Sequence, residues 1–249
     1  MKQPKTVVIH QPDFLPYLGF FHRLLNSDTF VILDHVQLLK RGWHHRDLIK
    51  GPNKPIWLSV PIVNIKKIQT IKEAKIDYSQ NWINKHLNRI QAYYQKACYF
   101  EKVFFEIQAI YKQRPELLVD LNIALLNYVM DYFSIRVQVC RSSEWDIQTY
   151  RNEMNIELVK KVGGSIYLSG VGAKEYLDLE MFQQSGIDVV WQNYHCRQYP
   201  QLHGDFVENL SCLDFIMNCG DQIREYINVR DAENNHRASG PDGLEAVSG

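Results

Sequence analysis

The chain has 249 residues, 28 Lys and Arg against 28 Asp and Glu, and 45% hydrophobic content. That length and apolar content can bury a sizeable core, as one large α/β domain or two small ones. A formal charge of zero excludes a globally basic nucleic-acid binder, a supercharged acidic protein, and disorder driven by net charge.

Along the chain, residues 6–9 are short and β-branched, the composition of a strand. Residues 17–25 predict a helix and 29–33 a second apolar strand. Residues 56–61 read as a third strand closed by Pro61, because proline lacks the N–H that a ladder needs. Ser79 suits the N-cap of a helix whose apolar face runs Trp82, Ile83, His86, Leu87, Ile90 and Tyr94. A second helix covers 99–113, and Pro115 fits the first position of a third, with Leu118, Leu121, Leu125 and Tyr128 on one face. Residues 135–140 alternate as a strand does, and 152–162 predict a helix stopped by Gly163-Gly164. The units then shorten to a strand at 166–168, a brief helix at 173–177 and a strand at 187–191. Ser211-x-x-Asp214 opens a last helix that Gly220 punctuates. From Asp231 on, Asn, Ser, Gly, Pro and acids run without period, the composition of a disordered tail. Strands alternating with helices imply an α/β fold: a mainly parallel sheet flanked by helices, with a helical layer or subdomain around 80–132. With no repeat and no linker in the body, residues 1–230 read as one domain.

Neutrality overall conceals uneven placement. Residues 36–89 hold eleven basic residues against three acids, a surplus of +8 that the rest of the chain must balance. Such segregation builds a local potential suited to an anionic ligand, although lysines on solvated edges produce the same count. No apolar run is long enough to cross a membrane, and the first residues do not resemble a signal peptide. Five cysteines, an odd number without Cys-x-x-Cys spacing, suggest free thiols in a reducing cytoplasm.

The densest polar cluster, His10-Gln11-Pro12-Asp13 with Tyr17, lies between a predicted strand and a predicted helix. In a parallel sheet that is a carboxyl end, where ligands gather, and Pro12 and Pro16 stiffen the loop. A second cluster, Asp34, Gln37, Lys40, Trp43 and Arg46, follows the second strand. If the two strands are neighbours, Asp34 and His10 form an acid–base or orienting pair. Lys40 and Arg46 suit phosphate, and Trp43 suits stacking on a base or sugar ring. His44-His45 makes a weak metal site, since adjacent strand residues face opposite ways and only a loop could bring them together, and neither metal nor cofactor is expected. Ser169-Gly170 begins a glycine-containing turn after another strand, while Gln192 and Gln201 follow the last. Neither a full dinucleotide fingerprint nor a protease signature accompanies these residues, so the cysteines read as inert thiols.

His10-Gln11-Pro12 with the run from Phe14 to Phe20 resembles the opening of the WbqC-like family. So do Asp34-x-x-Gln37, Trp43-x-x-Arg46, the run from Trp57 to Pro61, Lys85-His86-Leu87, Leu168-Ser169-Gly170, Glu175-Tyr176-Leu177-Asp178, Gly186-Ile187, and Leu210-Ser211-x-Leu213-Asp214 running to Asn218-Cys219-Gly220. The resemblance implies a part in bacterial O-antigen, and so surface-polysaccharide, biosynthesis: attachment of an acyl or aminoacyl group, glycine being the usual suggestion, to an amino sugar. Its substrates would be anionic small molecules, a nucleotide sugar or an activated acyl donor, with aminoacyl-tRNA as one donor. His45 stands where the family commonly has Asn, a departure that suggests a different substrate. On this reading His10 is the base, Asp34 orients it, Gln11 or Gln37 meets the substrate or oxyanion, and Lys40 and Arg46 hold phosphate. Two other classes stay open: a nucleotidylyltransferase, although its His-x-x-His or His-x-Gly-His signature is absent, and a non-catalytic carbohydrate- or partner-binding protein.

Overall fold

Successive side chains of a strand leave on opposite faces, and the first strand uses both. In the computed structural model, which describes residues 3–228, β1 (Thr6–His10) sends Val7 and Ile9 into one apolar cluster and Val8 into another. The chain continues through α1 (Leu18–Leu25), β2 (Thr29–Ile32), β3 (Arg46–Ile49), β4 (Ile56–Ser59), α2 (Trp82–Tyr94), α3 (Phe100–Lys112), α4 (Leu118–Tyr132) and β5 (Gln138–Arg141). The described residues finish with α5 (Arg151–Lys161), β6 (Ile166–Ser169), α6 (Leu179–Gln184), β7 (Asp188–Trp191), α7 (Cys212–Cys219) and α8 (Ile223–Tyr226). Five strands form a sheet in the order β5-β2-β1-β6-β7, every neighbour parallel, and β3 and β4 form a separate antiparallel ribbon.

Helices cover both faces, as buried parallel sheets require. Phe20 and Phe21 of α1, Leu125 of α4 and Phe215 of α7 pack with Val8 and Phe30 on one side. Leu158 of α5 and Phe182 of α6 pack with Val7, Ile9 and Val31 on the other. The expected α/β sheet and the helical layer formed by α2, α3 and α4 are therefore present. From β1 the chain moves to β2 on one side, and after β5 it returns as β6 on the other. Loops leaving β1 and β6 diverge there, and a crevice opens at the carboxyl ends of the strands.

Local expectations fail where side chains form turns instead of caps. Ser79 is held by Asp77, which accepts from its N–H at 3.0 Å and its hydroxyl at 2.6 Å, so α2 begins three residues later. Pro115 does not start α4: its carbonyl accepts the Tyr78 hydroxyl at 2.9 Å, and Leu117 bridges to Lys75. The helix expected at 173–177 is a single 3₁₀ turn at Val171–Ala173 followed by α6, whose N-cap Asp178 accepts the Met181 N–H at 3.1 Å. Strand β3 has no counterpart among the elements expected from the sequence, because Arg46 and Asp47 hide its short alternation. The expected tail lies outside the described residues. Among those residues no helix is long and apolar enough to cross a membrane.

Candidate active-site cleft

A cleft of about 650 Å³ lies at that divergence, floored by the ends of β1 and β6. His10, Gln11, Asp13 and Tyr17 from the loop after β1 line it, opposite Ser169 and Gly170 from the turn after β6. Gln192 closes one end, and Trp43, His44 and Asp47 reach in from the segment before and within β3. Exposed Leu39, Trp43, Val171 and Tyr176 give it an apolar rim. Trp43 is half exposed, and its ring packs on that of Trp57 at 5.4 Å.

The loop after β1 is tied down at nearly every residue. Phe14 N–H donates to the Trp43 carbonyl at 3.0 Å, and Cys212 N–H donates to that of Pro16 at 3.0 Å. The Ser211 hydroxyl donates to the Leu15 carbonyl at 2.6 Å, although Leu15 sits at φ 46°, in the left-handed region. A non-glycine residue there costs about 1–3 kcal/mol and persists only when its surroundings dictate it. Buried Asn122 of α4 staples two segments together, its Nδ2 donating to the carbonyls of Pro12 and His44, both at 2.7 Å. Next to Tyr17 a glycine is required, because its ring comes within 2.2 Å of where a Gly19 Cβ would stand.

Electrostatics inside the cleft are set by burial. His10 Nδ1 faces the Gln11 carbonyl at 2.9 Å. A carbonyl only accepts, so Nδ1 carries the hydrogen and Nε2 keeps its lone pair. Burial, then the Arg23 charge, press His10 down to about 3, so it is neutral at pH 7. Asp13 lies 3.6 Å from His10 Nδ1, and burial raises its carboxyl to about 7 against the pull of Arg23. Asp47 is raised to about 8, chiefly by burial with some help from Asp13, although Leu48 N–H donates to its Oδ1 at 2.6 Å. His44, lowered by burial and His45 to about 4, bonds Gln11 Oε1 through Nε2 at 2.7 Å. The cleft thus combines a neutral imidazole with two carboxyl groups that exchange protons near neutrality, the condition under which general acid–base chemistry works best.

Not every expected residue is here. The His10–Asp34 pairing does not form, although β1 and β2 are neighbours. Asp34 is fully buried, and Arg141 and Ser143 hold one of its oxygens while Ser142 and the Ser143 N–H hold the other. Gln37 is exposed and bridges Thr70 through its backbone, and Lys40 is exposed outside the cleft lining. Arg46 lies over the Trp57 ring at 4.3 Å and donates to the Arg41 carbonyl at 2.8 Å, so it is engaged away from the cleft. Gln201 clamps Val207, donating to its carbonyl and accepting from its N–H, both at 2.9 Å. Nor does the basic block line the cleft: Lys50 is buried against the Gly204 and Asp205 carbonyls, and Lys75 pairs with Glu116. Cys196 and Cys219 are thiols raised by burial, Cys219 to about 12. Among the described residues, no group of three or more His, Cys, Asp or Glu is placed to hold a metal ion.

Three residues that the sequence motifs passed over complete the cleft and its frame: Asp47, from β3, Arg23, on the cleft floor, and Asn122. The signal for Arg23 is its place three residues after Phe20 inside the apolar run Leu18–Leu25, which puts a cation on a buried helix face. Asn122 has a weaker signal, an amide among Leu118, Leu121, Leu125 and Leu126.

With this geometry in place, the comparisons with known proteins are informative. The sequence profile of the WbqC-like protein family matches residues 11–226, from the loop after β1 to the end of α8. Uncharacterized protein Rv1507c of Mycobacterium tuberculosis (strain ATCC 25618 / H37Rv) is 30% identical over 226 residues, covering 90% of this chain and 97% of the relative. No solved structure matches the chain.

Proposed function

The chain belongs to the WbqC-like protein family, and we propose that it is a cytoplasmic transferase of O-antigen-type surface-polysaccharide biosynthesis, which attaches an acyl or aminoacyl group to a nucleotide-linked amino sugar. One observation carries this reading: His10, Asp13 and Asp47 share a cleft at the sheet's switch point, with carboxyl groups raised to about 7 and about 8.

The amino group attacks as the neutral amine, its ammonium proton already lost to solvent, and must shed one further proton as the new bond forms. His10 Nε2 accepts a hydrogen bond from the amine and aims its lone pair, while the Asp13 carboxylate takes the proton as the nitrogen–carbon bond forms. The Gln11 amide nitrogen is the donor side left for the tetrahedral oxyanion, because Oε1 is engaged by His44. The bond from the acyl carbon to its carrier oxygen or sulfur then breaks, and protonated Asp13 returns its proton to the leaving atom. The apolar rim of Trp43 and Tyr176 suits the faces of a sugar or base.

The test is to incubate the purified chain with nucleotide-linked amino sugars and either aminoacyl-tRNA or acyl thioesters, and to follow the sugar nucleotide by mass spectrometry. The expected result is a mass gain equal to the acyl group, formed about 10²-fold or more slowly by His10→Gln. Equal rates for His10→Gln and wild type would remove His10 from the chemistry. No product with any donor would remove the transferase reading.

A further inference from the structure

A cation on the floor of an otherwise acidic and apolar cleft needs a reason. Arg23 is only 7% exposed and lines the cleft. Its Nε is enclosed with no hydrogen-bond partner, and its guanidinium forms no ion pair among the described residues. The Phe20 ring lies 5.8 Å from the guanidinium carbon, and Tyr17, Asp13, Tyr167 and Tyr176 act on its charge from farther off without a hydrogen bond. Buried charge without a partner is destabilising by several kcal/mol in general, and proteins keep it where a ligand supplies the counter-charge.

The turn after β6 is shaped around this group. A Cβ on Gly170 would stand 2.9 Å from Arg23 Nη1, so the absence of a side chain leaves room for the guanidinium to reach the cleft. Asp13 shares the cleft and acts on the Arg23 charge, but the two form no ion pair among the described residues, which leaves the guanidinium N–H groups open to a ligand.

We infer that Arg23, seated under the Gly170 turn, is the anchor of an oxyanion subsite that takes a phosphoryl or carboxylate group of the ligand. The planar guanidinium offers two parallel N–H donors to two oxygens of such a group, a geometry lysine cannot reproduce. This inference rests on the transferase reading only for the identity of the ligand. It moves the anion site away from Lys40, Arg46 and the basic block, to a residue on α1.

The experiment is calorimetric titration of the full chain with inorganic phosphate, pyrophosphate and acetate at constant ionic strength, with a thermal melt of each variant. Wild type is expected to bind at least one of these anions, and Arg23→Met to weaken that binding at least tenfold. Without anion, Arg23→Met is expected to melt no lower than wild type, because it removes an unpaired buried charge. Gly170→Ala keeps the charge but crowds Nη1, and it should weaken the same anion even if Arg23→Met folds poorly. Lys66→Ala with Lys67→Ala, on the exposed basic surface, should leave it unchanged. Preference for phosphate over acetate assigns the subsite to a phosphoryl group, and the reverse to a carboxylate. Absence of binding by wild type, or wild-type affinity in both Arg23→Met and Gly170→Ala, overturns the inference. Arg23-dependent binding in a chain that transfers nothing leaves the subsite standing and removes the transferase reading. Transfer with an unchanged KM in Arg23→Met removes the subsite alone.

Discussion

Replacing Asn122 with leucine tests whether the cleft is held by one amide. Asn122 is fully buried, and its Nδ2 donates to the carbonyls of Pro12 and His44, each at 2.7 Å. Leucine has the same branching and the same number of side-chain heavy atoms, so it leaves no cavity and the loss is chiefly that of hydrogen bonding. Each carbonyl left without a partner in a buried setting costs about 1–3 kcal/mol. Against this, Asn122 Oδ1 already lacks a partner among the described residues, and removing it returns about 1 kcal/mol. The net loss for Asn122→Leu is therefore about 1–5 kcal/mol. For a chain of this size that corresponds to a fall in Tm of roughly 2–20 °C. Urea unfolding should show a lower midpoint at unchanged slope. Because the staple joins the loop bearing His10 and Asp13 to the segment bearing His44, any transfer activity should fall about tenfold or more in protein that remains folded. A stability change below about 0.5 kcal/mol would refute the staple.

Three further outcomes follow from the same geometry. Asp13 and Asp47 keep their protons to about 7 and about 8 when folded, whereas an unfolded Asp ionises near 3.9, so between those values the folded state binds more protons. Their contribution to stability therefore falls as pH rises, by up to about 1.4 kcal/mol per unit for each group. His10, His44, His45 and His86, all lowered by burial, act only below about pH 6.5, which leaves pH 6.5–8 to the carboxyls. Urea midpoints should drop across that window, and Asp47→Asn should be more stable than wild type at pH 8, the gap closing toward pH 4; a flat wild-type profile contradicts this. Asp34→Ala removes the acceptor of the partly exposed Arg141 and of the Ser142 and Ser143 donors and should cost about 2–4 kcal/mol in unfolding experiments, while kcat per folded molecule changes little; a hundredfold loss of kcat in fully folded protein would return Asp34 to the chemistry. Trp43→Ala, at the exposed rim, should raise KM about tenfold with kcat and Tm nearly unchanged, and a loss confined to kcat would contradict a stacking role.

Much of the frame was legible because burial imposes period. The β-branched run of β1, the apolar face of α2 and the Gly163-Gly164 stop of α5 each follow from one local rule, and Gly163 does sit at φ 70°. The carboxyl end of β1 was also legible as a place for ligands. Strand order was not. Nothing local says that β1's second neighbour is β6, some 160 residues on, a pairing that brings Ser169 and Gly170 against His10, or that β2 pairs with β5, which sends Asp34 to Arg141 and Ser143. The charge surplus misled for a related reason, since counting places charge along the chain and not in space. Arg46 lies against Trp57, Lys50 is buried against backbone carbonyls, and the cation that reaches the cleft comes from an apolar helix outside the block.

The central claim is that Asp13 moves the proton in acyl transfer within this cleft. Single-turnover transfer to a nucleotide-linked amino sugar, measured from pH 5.5 to 8.5 with wild type and Asp13→Asn, tests it most directly. Wild type should rise with pH and level off above about 7, as the carboxyl ionises, and Asp13→Asn should lose about 10²–10⁴-fold together with that inflection. Wild-type rates in Asp13→Asn, or an inflection that survives the substitution, would contradict it.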